Sequence, residues 1–172
     1  VALPVFLSTQ LDWPHQSIGG FMAAWVIGYG LIQTQAPKIT AWGGAKHTSC
    51  DKAFHWVSLL TFMPVLIASF VYLEVHVELA VVIGLMIFGA VFAVNSSLHS
   101  YLIVNFAKVD GVSVDVGFYY MANAAGRLVG TVFSGALYQW YGLEACLIGS
   151  TLFLMSAVVL TKQLSRYGTA QG

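Results

Sequence analysis

The stretch that decides the fold is residues 115–138, DVGFYYMANAAGRLVGTVFSGALY. A helix of about 20 apolar residues, rising 1.5 Å per residue, crosses the hydrocarbon core of a bilayer, and this stretch is long enough to do so. Asn123 and Arg127 nevertheless stand near its middle. An arginine at that depth costs about 2.5–3.5 kcal/mol on insertion scales, so we expect Arg127 to face protein or a water-filled cavity rather than lipid.

The same helix carries small residues at four-residue spacing, a pattern that lets a second helix backbone approach closely. These predicted helix-packing residues are Ala122, Gly126, Gly130 and Ser134. Because successive residues are about 100° apart around a helix, Arg127 lies on the neighbouring face. One face packed and the next one polar is what we expect of a helix that lines a transport path.

The composition is that of an integral membrane protein. Of the 172 residues 58% are hydrophobic and only 8% are charged, and the mean hydropathy is +0.79. Soluble domains contain about 25% charged residues. We therefore predict an all-α, polytopic membrane bundle. The sequence starts at Val1 with no basic segment ahead of an apolar one, so we expect no signal peptide and interpret the chain as part of a longer protein.

Apolar segments predict the end of a truncated helix at 1–7 and five membrane spans. The predicted spans are 18–37, 53–73, 79–104, 114–137 and 143–161. The loops 8–17, 74–78 and 139–142 contain no lysine or arginine, whereas the alternate connections and the C-terminal tail hold six of the seven basic residues. These six are Lys38, Lys46, Lys52, Lys108, Lys162 and Arg166. The positive-inside rule then places the basic side and the C-terminus in the cytoplasm.

Strong polar side chains are concentrated in the first, third and fourth predicted spans, which we expect to line a polar path. The candidate cavity-lining residues are Tyr29, Gln33, Asn95, His99, Tyr120, Asn123 and Arg127. For Asn95 and His99 the alternative is that they join helices by hydrogen bonds. For Arg127 the alternative is a structural ion pair, but no Asp or Glu lies deep in a predicted span. We therefore favour an anion-binding role, with Asn123 in support, because a guanidinium donates two parallel hydrogen bonds.

Other chemistries are disfavoured by the sequence. His47, Cys50, Asp51 and His55 lack a recognised metal-ligand spacing, and we interpret them as loop residues. Cys50 and Cys146 lie apart in the predicted topology, so we expect no disulfide. Nucleotide-binding glycine loops, hydrolase and zinc-protease motifs, and basic-aromatic patterns for nucleic acid are not found. We predict no enzymatic activity, metal, cofactor or nucleic-acid partner.

Several segments carry a family resemblance. They are VALPVFL (1–7), GGFMAAWVIGYGLIQ (19–33) followed by Ala36-Pro37, FGAVFAVNSSLHSYLI (88–103), VGFYYMANAAGRLVGT (116–131) and SGALYQWYGLEACL (134–147). The chain resembles the C-terminal half of a major facilitator superfamily transporter, and more specifically the organoarsenical efflux permease (ArsJ) family. The resemblance implies the end of the seventh helix and helices eight to twelve, with the eighth, tenth and eleventh facing a central cavity. The superfamily's cytoplasmic-loop motif would fall at 38–52 and is degenerate here.

The resemblance further implies export of 1-arseno-3-phosphoglycerate, formed when a glyceraldehyde-3-phosphate dehydrogenase uses arsenate in place of phosphate. That enzyme would be a functional partner, and Arg127 would meet the anionic substrate. The missing N-terminal half would complete the site in a bacterial inner membrane, with alternating access by rocking of the two halves. A proton gradient is the expected energy source, with His99 as the candidate proton carrier of this half. The alternatives are an exporter of another organic anion and a non-transporting membrane scaffold protein.

Overall fold

The computed structural model describes residues 1–41, 49–107 and 112–169, and these form helices joined by short connections. The helices are α1 (Ala2–Thr9), α2 (His15–Ala41), α3 (Ser49–Tyr72), α4 (Val77–Phe106) and α5 (Val112–Thr169). No strand occurs within these ranges. The predicted all-α class is confirmed.

Among the described residues, three helices are long and apolar enough to cross a membrane, namely Cys50–Tyr72, Val77–Phe106 and Val112–Leu164. The first two agree with the predicted spans 53–73 and 79–104. The predicted span 18–37 lies inside α2, which has 27 residues but is less apolar because of its glycines and glutamines. The predicted spans 114–137 and 143–161 both fall in α5. The helices are thus those of a membrane protein. Five membrane spans and a six-helix half of a transporter stay predictions.

The helix α5 is a hairpin, because its path reverses at Gly142, where φ is 79° and ψ is −168°. The first arm (112–141) and the second arm (143–169) then run antiparallel. Cys146 Sγ donates to the Ser134 carbonyl at 3.4 Å, and the rings of Phe133 and Phe153 lie 6.2 Å apart. We predicted a turn over 139–142, but the helix continues to Tyr141 and a single glycine makes the reversal.

The core is divided between the two ends of the bundle, with α3 packed against both α4 and α5. One cluster joins α1, α3, α4 and the start of the second arm, and includes Leu7, Val71, Val81 and Leu143. A second cluster joins α2, α3 and α4 around Ala53 and includes Ala36, Cys50, Val94, Leu98 and Leu102. The first cluster lies beside connections that lack lysine and arginine, and the second lies beside Lys52. The end of α2 and the start of α3 therefore lie at the opposite end of the bundle from the turn between α3 and α4, while the membrane side of each end stays a prediction.

The helices α2 and α4 meet at a notch made by a glycine. Trp25 Nε1 donates to the Leu85 carbonyl at 2.8 Å, and a Cβ atom on Gly89 would lie 2.7 Å from that same nitrogen. Only a residue without a side chain lets the indole lie this close to the α4 backbone. The Trp25 ring also stacks on Tyr29, with centroids 5.9 Å apart.

We predict that Gly142→Ala destabilises the hairpin by about 1–3 kcal/mol, because a Cβ atom is strained at this φ and ψ. Gly28→Ala is the matched control, since a Cβ there meets no atom within 4 Å and φ is helical. Unfolding by SDS in mixed micelles measures both. Equal midpoints for the two variants would contradict the strained reversal.

We predict that Gly89→Ala costs about 1–3 kcal/mol, the usual range for overpacking, because the methyl group displaces Trp25. A double-mutant cycle with Trp25→Ala isolates the contact. In the Trp25→Ala background the added methyl group should have little further effect on stability. An unchanged cost in that background would show that the notch does not depend on the indole.

Candidate functional site

Arg127 lies midway along the first arm of α5, in a stretch (120–132) in which every residue is exposed. Within the described ranges its guanidinium has no hydrogen-bond or ion-pair partner. Its backbone carbonyl accepts a hydrogen bond of 2.8 Å from the Thr131 hydroxyl. A fixed carboxylate therefore does not neutralise this charge in the part of the chain that the structure covers, and the guanidinium keeps its full donor capacity.

Among the described residues, the first arm makes hydrogen bonds to the bundle near its two ends, and the stretch between them is exposed. At one end Tyr119 Oη lies 3.3 Å from Ser100 Oγ of α4. At the other, Ala2 N donates to Ser134 Oγ at 3.4 Å. Between these contacts, a Cβ atom on Gly126 or Gly130 would find no atom within 4 Å.

The small residues lie on the face of the first arm that makes these end contacts. Tyr119 is seven residues before Gly126, which is about two helical turns. Ala122 and Asn123 are exposed on the same stretch. Of the predicted packing residues, Ser134 thus has a neighbouring helix within the described chain, whereas Gly126 and Gly130 present an open face. Close packing against another helix stays a prediction.

Asn95 and His99 lie elsewhere, where α4 meets the second arm of α5. Asn95 is 8% exposed and Thr161, on the second arm, is 5% exposed. His99 Nδ1 lies 2.9 Å from the Asn95 carbonyl oxygen, and His99 Nε2 lies 3.4 Å from Thr161 Oγ1. This polar group links the two helices through an otherwise apolar contact.

Each ring nitrogen of His99 lies beside one oxygen. The Asn95 carbonyl oxygen accepts from Nδ1–H, and Nε2 lies within hydrogen-bond distance of the Thr161 hydroxyl. That hydroxyl also donates to the Ala157 carbonyl at 2.8 Å. A hydroxyl both donates and accepts, so Thr161 can belong to both contacts.

The same junction has an acceptor without a donor. Asn95 Oδ1 is buried and has no hydrogen-bond partner in the described part of the chain. A buried unpaired oxygen costs about 1–3 kcal/mol, so its persistence calls for an explanation. The junction between α4 and the second arm thus keeps one buried acceptor without a partner among the described residues.

The remaining candidates are dispersed. Tyr29 lies in the aromatic contact between α2 and α4, with its ring 5.8 Å from that of Phe92. Gln33 is half-buried. Tyr120 is 64% exposed, and the centroid of its ring lies 5.6 Å from that of Tyr119. No hydrogen bond or ring contact between described residues joins these positions to Arg127 or to His99, so the seven candidates do not line one enclosed cavity within this chain.

Three contact residues were not singled out from the sequence. Tyr119, rather than Tyr120, reaches α4, and the two-turn spacing from Gly126 could have indicated this. Thr161 is the last residue of the fifth predicted span, and nothing in the local sequence indicates that its hydroxyl contacts His99. Trp25 gave no local signal, because its role depends on a glycine of another helix.

The described residues contain no group of three or more His, Cys, Asp or Glu side chains that could hold a metal ion. His47 lies outside the described residues, as do Lys46 and Lys108. The Cys50 and Cys146 thiols are both free, and Cys50 is buried.

Comparison of the chain with protein-family models, with curated proteins and with solved structures finds no match.

Proposed function

We propose that this chain is part of a membrane exporter of a small organic anion. The observation that carries the proposal is a guanidinium at the middle of an apolar helix, for which the described residues supply no partner. Placing Arg127 there is costly unless something negative meets it. The exposed face around it gives such an anion access, and Asn123, one helical turn away, adds amide donors.

We further propose that the anion is an organic arsenate ester, 1-arseno-3-phosphoglycerate, and that the export confers arsenate resistance. The sequence resemblance supports this choice. The ester carries a phosphate and an arsenate group, both of which suit the paired donors of a guanidinium. A glyceraldehyde-3-phosphate dehydrogenase would supply the substrate. The open face at Gly126 and Gly130 is where the other half of the transporter would pack.

The proton gradient is the energy source in this proposal, with His99 as the proton-carrying group. Its support is the position of His99 between α4 and the second arm of α5, where each ring nitrogen lies beside an oxygen. The groups that face His99 from the described chain are uncharged, namely the Asn95 carbonyl and the Thr161 hydroxyl. Tyr119 reaches the neighbouring Ser100 from the first arm, and Lys162 follows Thr161 but is exposed.

We predict that Arg127→Ala weakens the apparent affinity for the arsenate ester about ten- to hundredfold, the usual loss of a charge-assisted hydrogen bond. Arg127→Lys should recover it poorly, because an ammonium lacks the paired donors. Arsenic efflux from cells that express the complete protein and the dehydrogenase measures this. Leu128→Ala, at a neighbouring residue that is 67% exposed, is the control.

Membrane levels of the Arg127 variants should match the wild type, since the side chain has no partner to lose. Wild-type efflux by Arg127→Ala at that level would refute the anion-binding role. Arg127-dependent efflux of a different phosphate ester, without arsenate resistance, would support the broader anion exporter. The scaffold alternative predicts a different result. The protein would transport no anion, and Gly126→Leu would abolish co-purification of a membrane partner, because the added side chain blocks helix packing on the small-residue face.

We predict that His99→Gln uncouples efflux from the pH gradient in everted vesicles, because an amide cannot take up the proton. Thr161→Val should weaken the pH response, and Thr161→Ser should preserve it by keeping the hydroxyl. Substrate binding at fixed pH separates coupling from folding. Undiminished gradient-driven efflux by His99→Gln would exclude His99 as the proton carrier.

A further inference from the structure

A second polar site lies at the basic end of the bundle, where α2 ends with Lys38 in its last turn and α3 begins with Lys52 in its first turn. None of the residues that line it is Arg127 or His99. There the last turn of α2, the first turn of α3 and the later part of α4 enclose a cavity of about 270 Å³. Pro37 and Leu98 form apolar parts of its wall, and Thr40, Lys52, Ser97 and Tyr101 supply polar groups. Its volume is just below the range of about 300–1,000 Å³ typical of small-molecule sites.

Hydrogen-bond donors predominate in this cavity. Lys52 Nζ donates to the Thr40 carbonyl at 3.0 Å, which uses one of the three N–H groups of the ammonium. The Thr40 hydroxyl donates to the Ala36 carbonyl at 2.9 Å. The hydroxyls of Ser97 and Tyr101 have no partner among the described residues. Two N–H groups and two hydroxyls are thus available to one ligand.

The charge of the cavity has the sign that suits an anion. Lys52 lies in the first turn of α3, where the helix dipole adds positive potential. Asp51, the neighbouring residue, does not line the cavity and has interactions of its own. A ligand that accepts several hydrogen bonds and carries negative charge fits this arrangement, and a phosphate group does both.

The cavity opens toward the surface at Tyr101, which is 57% exposed. A tyrosine at the end of a membrane helix places its ring in the interface and its hydroxyl toward water. Basic pockets between membrane helices at this level accommodate phosphate headgroups. A soluble phosphate ester could enter from the water by the same opening.

We propose that the cavity between α2, α3 and α4 is a binding site for a phosphate ester, held by the Lys52 ammonium and the hydroxyls of Ser97 and Tyr101. The site does not rest on the proposed export function, because it uses none of the residues assigned to the transported anion. Its ligand is either the headgroup of an anionic phospholipid or a small soluble ester, which share this chemistry.

Binding of two probes by the purified complete protein tests the proposal. One probe is phosphatidylglycerol in phosphatidylcholine nanodiscs, followed by native mass spectrometry, and the other is glycerol 3-phosphate, followed by calorimetry. We expect Lys52→Gln to weaken binding of at least one probe about tenfold or more, the loss that follows from one charge-assisted hydrogen bond. Lys52→Arg should retain most of the binding, because it keeps the positive charge.

Lys38→Gln is the matched control, since Lys38 lies in the last turn of α2 but does not line the cavity. The double variant Ser97→Ala/Tyr101→Phe removes donors without removing charge and should weaken binding several-fold. A loss confined to phosphatidylglycerol identifies a lipid site, and a loss confined to glycerol 3-phosphate identifies a soluble ligand.

Unchanged binding of both probes by Lys52→Gln and by the double variant would overturn the proposal. Lys52 would then serve only to cap α2 through the Thr40 carbonyl, and Lys52→Gln would lower stability alone. An equal loss in Lys38→Gln would likewise overturn it, because diffuse positive charge rather than a built site would explain the binding.

Discussion

The reversal at Gly142 is the constraint on which most of the structure depends. A backbone at φ 79° is readily available only to glycine, and it turns one very long helix into two antiparallel arms. The second arm then lies against α3 and α4, and it carries Thr161 to His99. Without this reversal the buried polar junction would lose one side, and α3 would lose one of the two surfaces against which it packs.

The two arms of α5 have different environments, and this difference separates two kinds of chemistry. The second arm packs against the bundle and makes the buried contact with His99. The first arm is held near its ends, so that Arg127 and the small-residue face are exposed between the contacts. Arg127 thus lies on the exposed part of the first arm, and His99 lies where α4 packs against the second arm. The cavity for which we propose phosphate binding is a third environment, and the described residues that line it belong to α2, α3 and α4.

Much of the fold could be predicted from hydrophobic segments, because long apolar runs leave the backbone few alternatives to helix in lipid. The helices α3 and α4 begin and end within a few residues of their predicted spans. The continuous helix through Gln139 and Tyr141 could not be predicted in this way, since polar residues beside a glycine resemble a loop. The site was predicted less completely. Arg127 could be identified because an arginine in an apolar helix has a high free-energy cost. Thr161, Tyr119 and Lys52 act through partners on other helices. The local sequence carries no information on which helices meet.

The notch at Gly89 limits how this bundle can deform. The Trp25 indole lies against the backbone at Gly89, and its nitrogen donates to the Leu85 carbonyl. This contact fixes the register of α2 along α4, because a shift by one residue would bring the ring against a side chain. The two helices must therefore shift as one piece. A rearrangement of the bundle would therefore take place at other helix contacts. The contact of the first arm of α5 with the bundle would separate most easily, because its described hydrogen bonds lie near its two ends.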